Sequence, residues 1–200
     1  MAKQKTYQLT LTAIFIAILL FQTYIPLLGY IPIPPLNITI IHITVIIAAV
    51  ILPLKNSILV GLAWGVLSFS RAYIAPSSVF DILIFRNFII AVLPRVLIPI
   101  VAGSLFIWLM KRHSIKIAAL VAAIAGTLTN TFCVLGLIYV IKGAEFAELN
   151  QVDPSQLYLI LGGIVTTNGI PETIAAAIVV PIVATIYWHK RGGKAQNSTD

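Results

Sequence analysis

Residues 89–110 read IIAVLPRVLIPIVAGSLFIWLM, a run long enough to cross a bilayer in which only Arg95 and Ser104 interrupt the apolar side chains. A guanidinium stays charged near neutral pH, and holding one at the centre of a bilayer costs about 2.5 to 3.5 kcal/mol on the gentlest scale. No carboxylate lies within one helical turn of Arg95. Compensation must come from a distant acid, with Glu172 and Asp81 as candidates, or from an anionic ligand. The second option describes a membrane protein that captures a small carboxylate.

The rest of the chain fits that setting. Its 200 residues are 60% hydrophobic and 10% charged, against about 25% charged in soluble domains. This is the composition of an integral membrane protein. At roughly 20 residues per crossing plus connections, the length allows one domain of six crossings and no soluble catalytic domain. Apolar runs bounded by charge or Pro/Gly punctuation place spans near 8–28, 38–54, 57–72, 84–110, 115–141 and 158–188. The third reads as short for a full crossing, and the fourth starts at either Ile84 or Pro94, since proline favours a helix beginning and disrupts an interior. The first run follows Lys3 and Lys5 as a signal peptide would, but it is long and lacks a small-x-small cleavage site, so it reads as helix one. The expected fold is an all-α integral membrane bundle of six helices, with a single domain over 1–190 and a flexible tail over 191–200.

The net charge of +7 does not point to nucleic acid, because the cations sit in short clusters flanking apolar segments. Lys3 and Lys5, Lys55, the group Lys111, Arg112 and Lys116, and the group Lys190, Arg191 and Lys194 share one side if six helices alternate. That side is the cytoplasm, which places both termini inside. The opposite side carries Arg71, Asp81, Arg86, Lys142, Glu145, Glu148 and Asp153 together with the longer connections, 29–36 (GYIPIPPL), 71–80 and 143–157. The proline-rich connection suits a stiff extended segment. Cys133 is the only cysteine, so no internal disulfide can form, and it reads as a small core residue.

Counting depth from the outer helix ends at about 1.5 Å per residue puts Trp64, Arg95, Asn130 and Asn168 about 10 to 17 Å down, able to line one chamber. His42 lies higher, about 6 Å by the same rise, near Asn37, Ile38 and Thr39. Polar side chains in lipid are costly, so these should face the bundle interior. Each also has a plain structural reading: Asn as interhelical glue, Trp64 as packing, His42 as a satisfied interior histidine. Asn168 stands in TTNGIPE (166–172), where Pro171 cannot donate to the carbonyl four residues back and Gly169 permits close backbone approach. A helix broken in this way is tolerated where it lines a cavity. Glu172, one turn further on the same face, can orient a ligand or balance Arg95. A guanidinium, two amides, hydroxyls from Thr127 or Thr167 and an indole wall suit a small molecule with a carboxylate, an amide and hydroxyls.

Catalytic signatures are missing from the chain. It has no P-loop, so it cannot hydrolyse ATP itself, and no HExxH, Cys/His cluster or GxSxG elbow. His42 and Glu172 are too isolated to argue for an intramembrane enzyme. No internal repeat suggests an inverted-repeat carrier.

Several runs resemble the substrate-binding (S) components of energy-coupling factor (ECF) transporters. AIFIA (13–17) matches that family's Ala-x3-Ala motif, and NITIIHITVIIAAV (37–50), GTLTN (126–130) and GGIVTTNGIPE (162–172) resemble its pantothenate-specific member. The resemblance implies a six-helix subunit of the bacterial plasma membrane, with no cofactor of its own. It captures a vitamin from outside and works with a membrane-embedded coupling protein and two ATPases. It also implies that Arg95 takes the carboxylate of pantothenate, Asn130 and Asn168 its amide and hydroxyls, and Trp64 a wall. Ala13 and Ala17 would dock to the coupling protein. Open alternatives are a different anionic vitamin, a stand-alone carrier and an intramembrane enzyme.

Overall fold

A computed structural model describes residues 2–25, 27–31 and 38–191. The expected proline-rich connection lies largely outside the described residues, as do Asn37 and all of the tail beyond Arg191. The elements run α1 (Ala2–Tyr24), β1 (Tyr30–Ile31), β2 (Ile38–Thr39), α2 (Ile41–Ile51), α3 (Leu54–Ile74), α4 (Val79–Phe85), α5 (Phe88–Leu109) and α6 (Ile115–Leu149). A 3-10 turn (Pro154–Gln156) leads to α7 (Leu157–Ile164), a π turn (Val165–Gly169) and α8 (Ile170–Lys190). The architecture is a membrane-type helical bundle, and five of its helical stretches are long and apolar enough to cross a bilayer.

The short member is α2, and the third span is full length. At 11 residues α2 is about 16 Å long, half a hydrocarbon core, whereas α3 has 21 residues. Almost every α2 side chain is buried, because the helix sits in the centre of the bundle with no lipid face. Its last-turn Val50 carbonyl, left over by the helix end, accepts from the Trp188 indole N–H at 3.0 Å. A side-chain donor from α8 thereby satisfies one carbonyl at the end of this short helix.

The fourth span starts at neither expected residue. Its leading part is a separate helix, α4, capped by Ser78, whose side chain accepts from the Asp81 N–H. A break follows, and Asn87 caps α5 by accepting from the N–H groups of Ile89 and Ile90 at 3.0 and 3.3 Å. Pro94 and Pro99 both lie inside α5. In α6 the backbone leaves helical geometry at Lys142 (φ −128°, ψ 16°), one residue past the expected end, and the helix then resumes to Leu149. That last piece packs on α4 through an edge-to-face contact of Phe80 and Phe146, centroids 5.5 Å apart. Cys133 is half-buried, not a core residue.

Packing of α3 on α5 positions the centre of the molecule. A Cβ on Gly61 would meet the Arg95 carbonyl oxygen at 2.3 Å, and one on Gly65 would meet Val92 Cα at 2.9 Å. Two glycines one turn apart therefore let the backbones close, and Trp64 beside them is pressed against α5.

Candidate binding site

The stretch that opened the sequence reading creates its own hydrogen bond. Pro94 has no N–H to give the Ile90 carbonyl, and the Arg95 guanidinium takes its place, with Nη1 donating to Ile90 O at 3.1 Å. Aromatic rings cover the guanidinium carbon on two sides, Trp64 at 4.8 Å and Phe85 at 4.9 Å to their centroids. Arg95 is 3% exposed and, among the described residues, has no carboxylate within ion-pair distance.

Both candidate counterions are engaged elsewhere. Asp81 accepts from Arg71 Nη1 at 3.0 Å and from the backbone N–H and hydroxyl of Ser77. Glu172 accepts from the Thr39 N–H at 2.7 Å, tying the β1–β2 hairpin to α8. The hairpin is fastened on its other strand by Arg71, whose guanidinium carbon stands 4.2 Å from the centre of the Tyr30 ring.

These elements enclose a cavity of about 550 Å³, counted out to its mouth. Arg95, Asn130, Asn168 and Glu172 all line it, with Thr39, Tyr30 and Asp81 adding further polar groups. Val134, Leu135 and Ile164, from an apolar cluster shared by α6 and α7, form its greasy wall. Asn168 reaches it from the π turn, which falls where Gly169 and Pro171 marked a break; Pro171 cannot donate to the Thr167 carbonyl, so the α ladder opens there.

Other expected site residues lie elsewhere. Trp64 and His42 are fully buried and do not line the cavity; Trp64 backs it by stacking on Arg95. Thr127 is also fully buried, and its hydroxyl donates to the Ala123 carbonyl at 2.9 Å, so it does not reach the cavity. Thr167 is exposed on the outside of the π turn, its hydroxyl within 3.0 Å of the Gly163 carbonyl and 2.8 Å of the Asn168 amide oxygen. Tyr30, Phe85 and Thr131 line the cavity without having been singled out. For Tyr30 a signal existed, its place at the head of the proline-rich connection; Phe85 and Thr131 sit in apolar runs that read simply as core.

Unmet polar atoms gather around this cavity. Among the described residues no hydrogen-bond partner meets Arg95 Nε, Asn130 Oδ1, Trp64 Nε1 or either ring nitrogen of His42, although the Thr39 backbone lies close to that ring. Leaving such groups unsatisfied costs about 1 to 3 kcal/mol each; of these atoms, Arg95 Nε and Asn130 Oδ1 belong to residues that line the cavity, where a polar guest can meet them.

A buried cavity that presents a cation and two amides within a bundle of apolar helices is the hallmark of a membrane solute-binding component. The family model for the substrate-specific component of ECF transporters matches residues 7–184, and the chain belongs to that family. It is a multi-pass membrane transport component and not an enzyme. Two relatives carry more specific names. The pantothenate transporter of Leuconostoc mesenteroides is 31% identical over 193 residues, covering 93% of this chain and 94% of its own. The pantothenic acid transporter of Lactococcus lactis is 32% identical over 199 residues, covering 92% and 94%.

Proposed function

We propose that this chain is the capture subunit of an ATP-driven vitamin importer and that its cargo is pantothenate. The observation that carries the reading is Arg95, buried among aromatic rings, without a carboxylate partner among the described residues, and lining a cavity with Asn130 and Asn168. The names of the two relatives support the same cargo. Pantothenate has one carboxylate, one amide and two hydroxyls. Its carboxylate meets the Arg95 guanidinium, and Asn130 and Asn168 supply donors and acceptors to its amide and hydroxyls. Glu172 accepts from a ligand hydroxyl while holding Thr39, and the Trp64 indole braces Arg95 from behind.

In this reading the chain makes six crossings, with α2 completing the second together with the segments that flank it. Both termini face the cytoplasm of a bacterial cell, a reading that the cation clusters support. Pantothenate enters from outside. The subunit then docks to the coupling protein through the exposed Ala13 and Ala17 on α1, where small side chains allow close helix approach. Hydrolysis of ATP by the two partner ATPases topples it and delivers the vitamin inside; this chain holds no cofactor of its own.

Mass spectrometry of the ligand that co-purifies identifies the cargo directly, and a different anionic vitamin in that position would replace pantothenate. Calorimetry on Arg95→Ala is expected to lose at least about 2 kcal/mol of affinity, the scale of a charge-assisted pair; unchanged affinity would reject the assignment. Ala13→Trp or Ala17→Trp is expected to preserve binding in detergent and abolish uptake in cells, and loss of binding instead would remove the docking role.

A further inference from the structure

A second concavity lies between α6 and α8, well away from the Arg95 cavity. Its α6 wall is Lys116, Ile117 and Leu120, and its α8 wall includes Ala177, Pro181, Ile182 and Thr185. Leu120 precedes Asn130 by ten residues, so the two cavities are separated by about 15 Å along α6. The groove encloses about 870 Å³ out to its open side and is apolar along its length apart from its Lys116 end and Thr185.

Antiparallel packing orders the groove along the helix axes. Asn130 and Thr131 share the first cavity with Asn168 and Gly169, while Lys116 and Leu120 share this one with residues further along α8, from Ala177 to Ile186. Lys116 is therefore level with Thr185 near one end of the bundle, Leu120 with Pro181, and Ala177 lies deepest. From Thr185 to Ala177 the groove extends about 12 Å inward.

The end at which Lys116 sits is positively charged throughout. Lys111 and Arg112 flank it in the preceding turn, and Lys190 and Arg191 stand where α8 stops. Every acidic side chain among the described residues, Asp81, Glu145, Glu148, Asp153 and Glu172, belongs to the opposite half of the bundle. A cation at the rim, an apolar trough leading inward and no competing carboxylate complement a single kind of molecule that surrounds this protein on all sides. Ile117, Ile182 and Ile186, which also line the groove, are exposed and widen its apolar surface. The helix that carries Ala13 and Ala17 packs chiefly on α2 and α3 and meets the end of α8 at Tyr7, over whose ring the Arg191 guanidinium carbon lies at 4.4 Å; none of its described residues lines the groove.

We propose that this groove holds one anionic glycerophospholipid of the surrounding leaflet, its phosphate against the Lys116 ammonium and one acyl chain lying along Leu120, Ala177 and Ile182. Basic sites between helices on the positively charged side of membrane proteins select anionic headgroups in this way. The lipid wedges α6 to α8, the two helices that also carry Asn130 and Asn168.

Native mass spectrometry of the intact protein, released from detergent containing equal amounts of phosphatidylglycerol and phosphatidylcholine, tests the site. The wild type is expected to retain one phosphatidylglycerol in preference to phosphatidylcholine. Lys116→Gln should lower that retention about five-fold, the effect of one surface cation, and Lys116→Arg should keep it. Ala177→Phe, which fills the trough, should lower retention of both lipids while the protein stays monodisperse. Lys116 is exposed, so its variants do not depend on repacking the bundle. Equal retention of the two lipids by the wild type, or unchanged phosphatidylglycerol retention in both Lys116→Gln and Ala177→Phe, would overturn the proposal. So would an Ala177→Phe variant that keeps its lipid but loses a co-purifying protein, since the groove would then seat a helix of that partner.

Discussion

Two buried arginines, both in the half of the bundle that holds the Arg95 cavity, are stabilised in opposite ways. Arg71, 8% exposed, has Asp81 at 3.0 Å, and Ser77 adds two further hydrogen bonds to the same carboxylate, so the charge is balanced within the protein. Arg95, 3% exposed, has a carbonyl and two aromatic faces, none of which carries a full negative charge. Burial alone therefore does not identify a binding arginine. What separates the two is whether a carboxylate is bonded directly to the guanidinium, and only the arginine without such a pair among the described residues lines the cavity, together with Glu172 and two amides.

The contrast can be broken most forcefully at the balanced arginine. Arg71→Leu leaves Asp81 buried without its cation, which costs about 3 to 5 kcal/mol, so the thermal midpoint of the detergent-solubilised protein should drop steeply. Arg95→Leu is expected to do the reverse. Removing a buried charge that has no ion pair among the described residues should leave the ligand-free midpoint unchanged or raised, and the same variant should lose the stabilisation expected of added pantothenate in the wild type. A drop in midpoint for Arg95→Leu as large as that for Arg71→Leu would erase the distinction.

A smaller effect is expected at Gly61, where a methyl group would press on the Arg95 carbonyl. Overpacking of this kind costs about 1 to 3 kcal/mol. Gly61→Ala should lower the thermal midpoint and also weaken binding, because the backbone that carries the guanidinium must move; weaker stability with full affinity would show that the crossing does not position the site. The smallest effect belongs to the exposed ion pair of Lys142 and Glu145 at 2.9 Å. The hydrogen bond from Lys142 holds the Glu145 carboxyl below the usual carboxylate range, so any stabilisation exists above that range and fades as pH falls through the lowered value. At this exposure Glu145→Gln should leave the midpoint at neutral pH unchanged, and a measurable loss would mean the pair braces the kinked end of α6.

Much of this arrangement was legible in the residues because it rests on local chemistry. Arg95 without a neighbouring acid, the Pro171 and Gly169 break beneath Asn168 and the end of the straight part of α6 near Lys142 all follow from rules of one or two turns. The separate α4 was also marked, by Ser78 three residues ahead of Asp81, but the apolar residues on both sides of Arg86 and Asn87, Ile82 to Phe85 and Phe88 onward, masked the boundary. Long-range pairing left no such mark. Nothing in the sequence says that Asp81 goes to Arg71 and not to Arg95, or that Glu172 reaches back to the Thr39 N–H. Depth counting placed Trp64 and His42 at plausible levels but could not tell a side chain that lines a cavity from one packed behind its wall, since helical rotation is fixed by neighbours far away in the chain.

The turn at 165–169 closes with i→i+5 geometry, so it absorbs one residue more than an ordinary helical turn. Deleting a single residue there would remove the surplus residue of the wide turn, while Pro171 would still leave the carbonyl four residues back without its helical donor. Such a one-codon deletion is expected to carry Asn168 away from the cavity without touching the packing of the rest of α8.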